Sequence, residues 1–476
     1  MTPITPVSNV EPLKGMKDLH PKLMRDHAYI KTVIDKIATQ FSYEEYTLPI
    51  LESLDTFSHQ ASTELIAEQS YRFVDKGDRA VILRPEITPV LARMVAKESG
   101  SYTLPLRWYT VGNCYRYEKP QTGRLREFAQ LNFDLIGKTE LSYDFEIIAI
   151  ITALMTAFNV PPHAYTLRYN HRTVVDVLLS RNNFTATEKT QFYALIDKKR
   201  KLDADAFNDA INEKFSDPNK QTFIKEYIDA KTLDDLMPTA EIGKENALPP
   251  ALKQSIEMFR EFEANMPTLS LNMQAKFDPT VVRGIDYYTG IVFEVFAEHG
   301  KGPGRSLFGG GRYDSLLEKY SSKPLKAGKS LSPNKARSAI GFGMGIHIFS
   351  LFLAKNDLLP KDNRHVHTIY LAPLDTEGLC YAFSVATYFH NKKFNTYLGI
   401  VHHNIQNHFK KAEQEQCSYM IVLGEKEVLS RKVVMKNLRR SQQNSQQNSQ
   451  QNSQQNSQQN SQQNVAITQT YDIPLS

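Results

Sequence analysis

Three arginines lie close together in the sequence and could bind a phosphate-bearing ligand. In the segment CYRYEKPQTGRLREFAQLNFDLIG, Arg116, Arg124 and Arg126 flank a turn at residues 121–123, with an extended run on each side. The pattern predicts a β-hairpin that carries the arginines. A guanidinium group stays charged and donates two parallel hydrogen bonds to phosphate oxygens, as a nucleotide triphosphate requires. A charged surface hairpin with scattered ion pairs would give the same pattern.

Polar side chains suited to a small ligand lie near this hairpin. Gln130 and Asp134 are four residues apart on a predicted strand, so both side chains point to one face. In LRPEITP, Arg84 and Glu86 follow another predicted strand, and a buried carboxylate at Glu86 could hold an ammonium group. Short acidic and basic clusters usually form ordinary ion pairs, so this string is informative only in combination.

Two further segments add a cation, aromatic walls and glycines. VVRGIDYYTGIVFEVF contains Arg283 beside Tyr287 and Tyr288, whose rings could line a pocket while their hydroxyl groups donate hydrogen bonds. FGGGRYD contains three glycines at 309–311, which permit close approach of a ligand to the backbone. A tight turn would explain the glycines equally well.

The elements around these segments predict an α+β domain with a largely antiparallel sheet. An apolar helix is predicted over residues 24–41, and Pro49 demotes the extended run 46–51 to an edge strand. The remaining predicted strands are 71–74, 80–83, 106–110, 133–136 and 284–296, and the predicted helices are 89–98, 142–158, a buried helix within 340–353 and one that starts at Tyr313.

The region 170–262 is charged, rich in helix formers and without strand runs. We therefore predict a helical insertion that divides the first domain into residues 1–169 and 263–360. Beyond residue 361, strands at 367–372, 395–401 and 419–423 alternate with helices at 377–390 and 405–414. Such alternation predicts a small α/β domain over 361–476 with a mostly parallel sheet.

This last region contains SQQN six times in succession, over residues 441–464. A tract without apolar residues cannot bury enough surface to order itself, so disorder is predicted. It separates the runs 432–438 and 465–468, which we expect to pair as a hairpin. Loop-closure entropy grows only logarithmically, so such an insertion in a turn costs little.

Composition limits the class of protein only loosely. The net charge of +5 is compatible with a polyanionic partner but does not require one. Three cysteines, Cys114, Cys380 and Cys417, lie far apart and predict neither a disulfide framework nor a zinc site. Neither a signal peptide nor an apolar stretch of ~20 residues is evident, so a cytoplasmic protein without membrane contact is expected.

In this order, the segments resemble those of class II aminoacyl-tRNA synthetases. RGIDYYTGIVFE and GGGRYD are similar to the signature motifs of histidyl-tRNA synthetases. The resemblance extends from GMKDLHP at residue 15, through Pro49 in the first class motif, to YMIVLGEKE and VVMKNL in the last region. It implies a class II catalytic domain followed by an anticodon-binding-like domain.

The resemblance also implies a role for individual residues. Arg116 and Arg283 would be the catalytic cations. ATP contacts are implied for Arg116, Glu118, Arg124, Phe128 and Arg283. Histidine contacts are implied for Glu86, Ile87, Thr88, Gln130, Asp134, Tyr287, Tyr288 and Tyr313. The implied reaction ligates L-histidine to tRNA(His) through a histidyl-adenylate, with ATP and its Mg²⁺ as co-substrate, in a homodimer without zinc or an organic prosthetic group.

One motif departs from the family pattern. The third class motif ends in Glu-Arg, the arginine binding the ATP γ-phosphate, whereas AIGFGMGIHIFSLFL has His347 and Ile348 there. We interpret His347, on an otherwise apolar helix, as a core histidine. The departure also suits a non-catalytic, synthetase-like regulatory subunit of ATP phosphoribosyltransferase. The retained Arg283 and the last domain favour the ligase, because phosphate chemistry requires that cation.

A tRNA-binding protein without catalysis is a third hypothesis. It would use basic residues of the last domain for phosphate contacts, although a solvated surface explains them equally well. These residues are Lys410, Lys411, Arg431, Lys432, Lys436, Arg439 and Arg440.

Overall fold

The computed structural model describes residues 11–58, 63–97, 101–119, 123–137, 140–236, 250–269, 273–283, 287–298, 306–314, 316–320, 338–360, 367–438 and 468–473. The chain divides into two compact units, Met1–Leu359 and Pro360–Ser476. The predicted start of the last domain, at residue 361, lies close to this division. The helical insertion belongs to the first unit, and its status as a separate domain stays a prediction.

The first unit contains helices and strands in mixed order. Its strands are β1 (Glu44–Glu45), β2 (Leu51–Ser53), β3 (Tyr71–Val74), β4 (Ala80–Leu83), β5 (Leu106–Tyr115), β6 (Glu127–Gly137), β7 (Tyr165–His171), β8 (Gln274–Phe277), β9 (Ile291–Ala297), β10 (Ser306–Arg312) and β11 (Ser338–Gly345). Its helices are α1 (Pro21–Gln40), α2 (Asp55–Ser58), α3 (Thr63–Ala67), α4 (Thr88–Lys97), α5 (Leu141–Ala157), α6 (Arg172–Arg181), α7 (Ala186–Lys198), α8 (Ala204–Lys214), α9 (Pro218–Asp229), α10 (Leu233–Leu236), α11 (Pro250–Leu269), α12 (Leu316–Lys319) and α13 (Ile346–Lys355).

An eight-stranded sheet organises this unit, in the order β1-β5-β6-β11-β10-β9-β7-β8. Every pairing from β5 to β7 is antiparallel, and only the edge pairs β1–β5 and β7–β8 are parallel. The predicted antiparallel α+β fold is therefore confirmed. The strands β2, β4 and β3, which lie between β1 and β5 in the sequence, form a smaller antiparallel sheet in the order β2-β4-β3.

Helices α1 and α5 cover the sheet because their apolar positions recur at helical spacing. Ile30, Ile34 and Ile37 of α1 are buried, and Pro21 occupies the first turn, where its missing N–H costs nothing. Helix α5 is apolar on nearly all sides and is buried accordingly. Among the described helices, none has the length and apolar character needed to cross a membrane.

The helices α6 to α10 form what we call the helical region, residues 172–236. It has a hydrophobic cluster of its own, which includes Phe192, Phe207 and Tyr227. Capping supports its short helices: Thr185 and Glu188 form a reciprocal capping box at the start of α7. The predicted helical character of this region is confirmed, although Asn170 and His171 belong to strand β7.

Two local predictions are wrong. Residues 46–50 are not a strand: β1 ends before them and β2 begins after them. The guanidinium of the buried Arg84 binds the carbonyl oxygens of Leu48 and Pro49, at 2.8 and 3.3 Å, in place of a strand partner. The run 340–353 is not one helix but strand β11 followed by α13, and the glycines at 341, 343 and 345 alternate along one face of that strand.

The second unit alternates strands and helices before it closes with a hairpin. Its elements are β12 (Thr368–Pro373), α14 (Thr376–Asn391), β13 (Asn395–Leu398), α15 (Ile405–Gln414), β14 (Tyr419–Leu423), α16 (Glu425–Ser430), β15 (Lys432–Asn437) and β16 (Thr468–Asp472). The sheet order is β13-β12-β14-β15-β16. The first three strands are parallel and the last two antiparallel, so the α/β prediction is confirmed.

Strands β15 and β16 pair with Lys436 opposite Thr468. The expected hairpin therefore forms, with its second strand a few residues later than predicted. The repeat tract 441–464 lies outside the described residues, between two strands whose ends are neighbours.

Deleting residues 441–464 should leave stability unchanged or raise it by about 1 kcal/mol, because each halving of a loop contributes only ~0.6 kcal/mol. Denaturant unfolding measures this, and a loss above ~2 kcal/mol would show that the tract makes stabilising contacts.

Candidate active site

A cavity of about 250 Å³ lies in the first unit, against strands β6, β9, β10 and β11. Most residues predicted for the site line it, although they come from distant parts of the chain. These are Glu86, Thr88, Arg116, Glu118, Arg124, Phe128, Gln130, Arg283, Tyr287 and Tyr288. The fold thus brings the segments singled out in the sequence to one space.

Three predicted residues lie behind the wall of this cavity. Ile87 is fully buried in a hydrophobic cluster. Asp134 is inaccessible and accepts hydrogen bonds from the hydroxyl groups of Tyr313, at 2.5 Å, and Tyr46, at 3.4 Å. Burial raises the pKa of Asp134 to about 7, against the opposing effect of these hydrogen bonds. A direct ligand contact for Ile87, Asp134 and Tyr313 stays a prediction.

Asn132 was missed in the sequence although it lies between two predicted residues. Strand β6 points Gln130, Asn132 and Asp134 to one face. The Gln130 amide donates to Asn132 Oδ1 at 2.7 Å, and the Asn132 amide donates to Thr88 Oγ1 at 3.2 Å. The alternation that linked Gln130 to Asp134 would also have identified Asn132. These residues form a polar row beside the cavity.

Glycines on β11 make room for this polar row. Gly341 pairs with Asp134 and Gly343 with Asn132. A Cβ at Gly341 would lie 2.4 Å from Asp134 Oδ1, and one at Gly343 would lie 2.9 Å from Gln130 Nε2. GFGMG is therefore a strand that accommodates side chains of its neighbour, not a turn that binds a dinucleotide.

Glu86 supplies an acidic group at one side of the cavity. Its side chain is buried, and its Oε2 accepts from the Tyr287 hydroxyl at 3.3 Å. Its Oε1 has no hydrogen-bond partner among the described residues. Burial raises the pKa of Glu86, while Arg116, Tyr287 and Arg283 oppose that rise. A cationic ligand here would satisfy the free oxygen and stabilise the carboxylate.

Two of the three hairpin arginines reach the cavity. Arg116 donates from Nε to the carbonyl of Pro85 at 2.9 Å, and its guanidinium lies 5.4 Å from the centre of the Phe128 ring. Arg124 pairs with Glu118 at 3.2 Å. Arg126 instead lies 3.7 Å from the centre of the Tyr117 ring and does not line the cavity.

Arg283, from a distant part of the chain, also lines the cavity. Its guanidinium forms an ion pair with Glu294 and lies 5.8 Å from the centre of the Tyr288 ring. Its backbone is left-handed, with φ of 53°. Below the ion pair, a Cβ at Gly309 would lie 2.7 Å from Arg283 Nη1 and 2.8 Å from Glu294 Cγ. Gly309 of strand β10 therefore leaves the space that the ion pair occupies.

His347 and Ile348, at the divergent third motif, both line the cavity. His347 is buried, but its Nδ1 has no hydrogen-bond partner among the described residues, so it is not the satisfied core histidine that the sequence predicted; its ring meets that of His27 edge-on at 6.0 Å. Burial, with Lys17 and His27 nearby, lowers the pKa of His347 to about 4. The imidazole is therefore neutral at pH 7, and this part of the wall has no fixed positive charge from the motif.

The described residues include no group of three or more His, Cys, Asp or Glu side chains that could hold a metal ion. Glu118 and Glu294 are the lining carboxylates that form ion pairs with arginines of the cavity. The cavity therefore combines three guanidinium groups, a buried acidic group and aromatic rings. Such a combination suits a ligand with an ammonium group at one end and phosphates at the other.

Comparison with known proteins agrees with this chemistry. The sequence profile of histidyl-tRNA synthetase matches residues 15–336, and that of the anticodon binding domain matches residues 368–451. The chain is 31% identical over 434 residues to the histidine–tRNA ligase of Leptospira biflexa, covering 91% of this chain and 94% of that protein. It is also 31% identical over 435 residues to the chloroplastic/mitochondrial histidine–tRNA ligase of Arabidopsis thaliana, covering 91% and 84%.

Solved structures share the fold. The apo histidyl-tRNA synthetase of Staphylococcus aureus matches with a TM-score of 0.64 at 23% identity, covering 91% of this chain and 96% of that one. A Bacillus halodurans protein described as an ATP phosphoribosyltransferase regulatory subunit/histidyl-tRNA synthetase matches with a TM-score of 0.67 at 21% identity, covering 88% and 99%. The first unit therefore has the catalytic fold of a class II aminoacyl-tRNA synthetase. With the matched profile and relatives, the chain belongs to the histidyl-tRNA synthetase family.

The space at Gly309 gives a stability prediction. Gly309→Ala should destabilise the protein by about 1–3 kcal/mol, because the added methyl group would overlap the Arg283–Glu294 pair and the Phe293 carbonyl. Denaturant unfolding measures the change. As a control, Gly77→Ala should change stability by less than about 0.5 kcal/mol, since its new Cβ would meet atoms no nearer than 3.4 Å. Equal stability of the two variants would show that the ion pair is not held over Gly309.

Proposed function

We propose that this protein ligates L-histidine to tRNA(His) through a histidyl-adenylate formed with ATP. The observation that carries the proposal is the placement of buried Glu86 and the cations Arg116 and Arg283 around one cavity. Family membership supports the same reaction, since the curated relatives are named histidine–tRNA ligases. The names of the relatives specify the amino acid and the reaction, and the cavity offers the residues that would perform it.

Histidine would bind at the Glu86 side of the cavity. The free Oε1 of Glu86 would accept from the α-ammonium group, with Thr88 beside it. The imidazole would lie against the rings of Tyr287 and Tyr288 and be recognised through the polar row of β6, with Asp134 and Tyr313 behind it. The Asp134 carboxylate accepts hydrogen bonds from the hydroxyl groups of Tyr313 and Tyr46, and it would thereby orient these hydroxyl groups toward a nitrogen of the imidazole ring.

ATP would bind along the arginine side. Arg116 and Arg124 would donate to phosphate oxygens, and Phe128 would offer its ring to the adenine. Mg²⁺ would arrive with the phosphates, which together with water supply most of its ligands, so one or two protein carboxylates suffice. Glu118 and Glu294 are the candidates for that contact.

Adenylate formation joins the histidine carboxylate to the α-phosphorus and releases pyrophosphate. Two anions approach each other in this step, so catalysis depends on positioning and on positive charge placed before the reaction begins. Arg116 and Arg283, which both line the cavity, would supply that charge. Because the attacking carboxylate is already ionised, the step requires no general base.

The remaining partners are proposed on separate grounds. Contact of the second unit with tRNA rests on the match to the anticodon binding domain. A homodimer is supported by large apolar side chains left exposed on β2 and β3, namely Leu51, Phe73 and Val74. A cytoplasmic location stays a prediction from the sequence.

The regulatory-subunit hypothesis is less well supported. The absence of a cationic third motif would suit it, and one structural neighbour has that term in its description. A non-catalytic regulator, however, does not require a guanidinium group placed to bind a phosphate. Arg283 lines the cavity and forms an ion pair with Glu294. We therefore retain the ligase as the proposed function.

The decisive experiment is histidine-dependent exchange of pyrophosphate into ATP. Purified protein should catalyse the exchange at saturating histidine and Mg²⁺, and it should charge tRNA(His) under the same conditions. Binding of histidine without any exchange would contradict the ligase function and favour the regulatory one.

Replacing the proposed catalytic cation gives a sharper test. Arg283→Ala should lower kcat for exchange about 10²–10³-fold, because the guanidinium acts on charge that develops in the transition state. The KM for histidine should change less than about threefold. Arg79→Ala, which removes an exposed guanidinium paired with Asp75, is the matched control and should leave both constants unaltered. Equal losses in kcat and in histidine affinity would refute a transition-state role.

Glu86→Gln tests recognition of the ammonium group. The variant should bind histidine and histidinol, which both have the ammonium, at least about tenfold more weakly, since a hydrogen bond to a charged group contributes about 1.5–3 kcal/mol. Binding of imidazole propionate, which lacks the ammonium, should not weaken. Calorimetry with the three ligands separates these outcomes, and uniform weakening of all three would assign Glu86 a structural role.

A further inference from the structure

The backbone that carries Arg283 is held between two hydrophobic clusters. We call residues 278–283 the strap. Val281 is buried in the cluster that contains Tyr287 and Tyr288. Its neighbour Val282 is buried in the cluster of the helical region, among the side chains of α6 to α9. The strap therefore joins the catalytic cavity directly to the helical region.

Arg172, the first residue of α6, binds the end of the strap. Its Nη1 donates to the carbonyl oxygens of Val282, at 3.0 Å, and Arg283, at 3.3 Å. Its guanidinium lies 3.3 Å from the centre of the Tyr193 ring of α7, which fixes the plane of the group. The side chain is buried, so water cannot replace it as a donor. The backbone of Arg283 is thus held by a residue of the helical region.

Other groups hold the beginning of the strap. The Tyr227 hydroxyl of α9 and the Asn170 amide donate to the Pro279 carbonyl, at 2.8 and 3.2 Å. Arg200, which follows α7, forms an ion pair with Asp278. The helical region therefore contacts both ends of the strap, and strand β7 holds its beginning as well.

The conformation of Arg283 explains why such anchoring matters. A left-handed backbone costs a residue with a side chain about 1–2 kcal/mol, so it persists only where surrounding contacts hold it. Glu294 holds the guanidinium at the other end of the side chain. Without the Arg172 contact, the backbone would relax toward common conformations and move the guanidinium away from Glu294 and the cavity.

We propose that Arg172 is a positioning residue for Arg283, through which the helical region controls the geometry of the catalytic cation. This inference rests on the proposed role of Arg283 in adenylate formation. Arg172 touches no substrate: it acts by holding two carbonyl oxygens. The helical region is accordingly part of the catalytic apparatus and not an appended module.

Kinetics of the exchange reaction test the proposal. Arg172→Ala should lower kcat at least about tenfold, with the KM for histidine within about threefold of the wild-type value. Arg172→Lys keeps one donor but loses the planar fork. This variant should fold normally, and its kcat should lie between the values of the wild type and of Arg172→Ala. Arg260→Ala, which breaks a surface ion pair with Asp234 on α10, is the matched control and should retain full activity.

A double-mutant cycle separates positioning from a general structural effect. If Arg172 acts through Arg283, Arg172→Ala should have less than a twofold effect on kcat in an Arg283→Ala background. Multiplicative losses would overturn the proposal, because they would show that Arg172 contributes independently of Arg283. A loss for Arg260→Ala equal to that for Arg172→Ala would overturn it as well.

Hydrogen exchange gives a readout that does not depend on activity. Peptides that span the strap should exchange at least about tenfold faster in Arg172→Lys than in the wild type, whereas peptides from β5 and β6 should not. Unchanged exchange in the strap would overturn the inference even if the enzyme is active. Absence of pyrophosphate exchange in the wild type would overturn the proposed function alone, and the strap result would still decide the anchoring.

Discussion

A partly buried guanidinium group on a cavity wall loses hydration and is stable only when other groups replace the lost water. The Arg283–Glu294 ion pair meets this requirement in the absence of substrate, and much of the surrounding structure serves it. Gly309 leaves the volume that the pair occupies, Tyr288 covers its face and Arg172 holds the backbone. In the proposed reaction, bound phosphates would replace part of the role of Glu294. The cation would thus be in place before the charge that it is proposed to stabilise appears.

The same logic applies to the acidic side of the cavity. Glu86 Oε1 has no hydrogen-bond partner among the described residues, and an ammonium group would satisfy it. Arg116 and Arg283 stabilise the carboxylate at longer range, since both oppose the rise in the pKa of Glu86. The two walls therefore stabilise each other electrostatically, and a ligand with opposite charges at its ends completes the arrangement.

Local patterns were sufficient to predict the class of fold and several residues that line the cavity, and the family resemblance supplied others, such as Thr88, Glu118 and Phe128. Period-two alternation linked Gln130 to Asp134, and the arginine hairpin was visible from its turn. Contacts between distant segments were not predictable in this way. Arg172 resembles any arginine at the start of a helix, and only the folded chain brings it to the Arg283 carbonyl. Likewise, residues of strand β11 were predicted as helix. The glycines of this strand leave space for side chains of β6, and that contact is visible only in the folded chain.

The pairing of β15 with β16 has a consequence for biosynthesis. Because β16 follows the repeat tract in the chain, the ribosome must translate every SQQN unit before β16, the edge strand of the five-stranded sheet in the second unit, exists. Until then β15 presents an open edge, to which strands of other nascent chains could add. Changes in repeat number would therefore alter how long that edge stays uncovered during synthesis, even where they leave the finished protein unaltered.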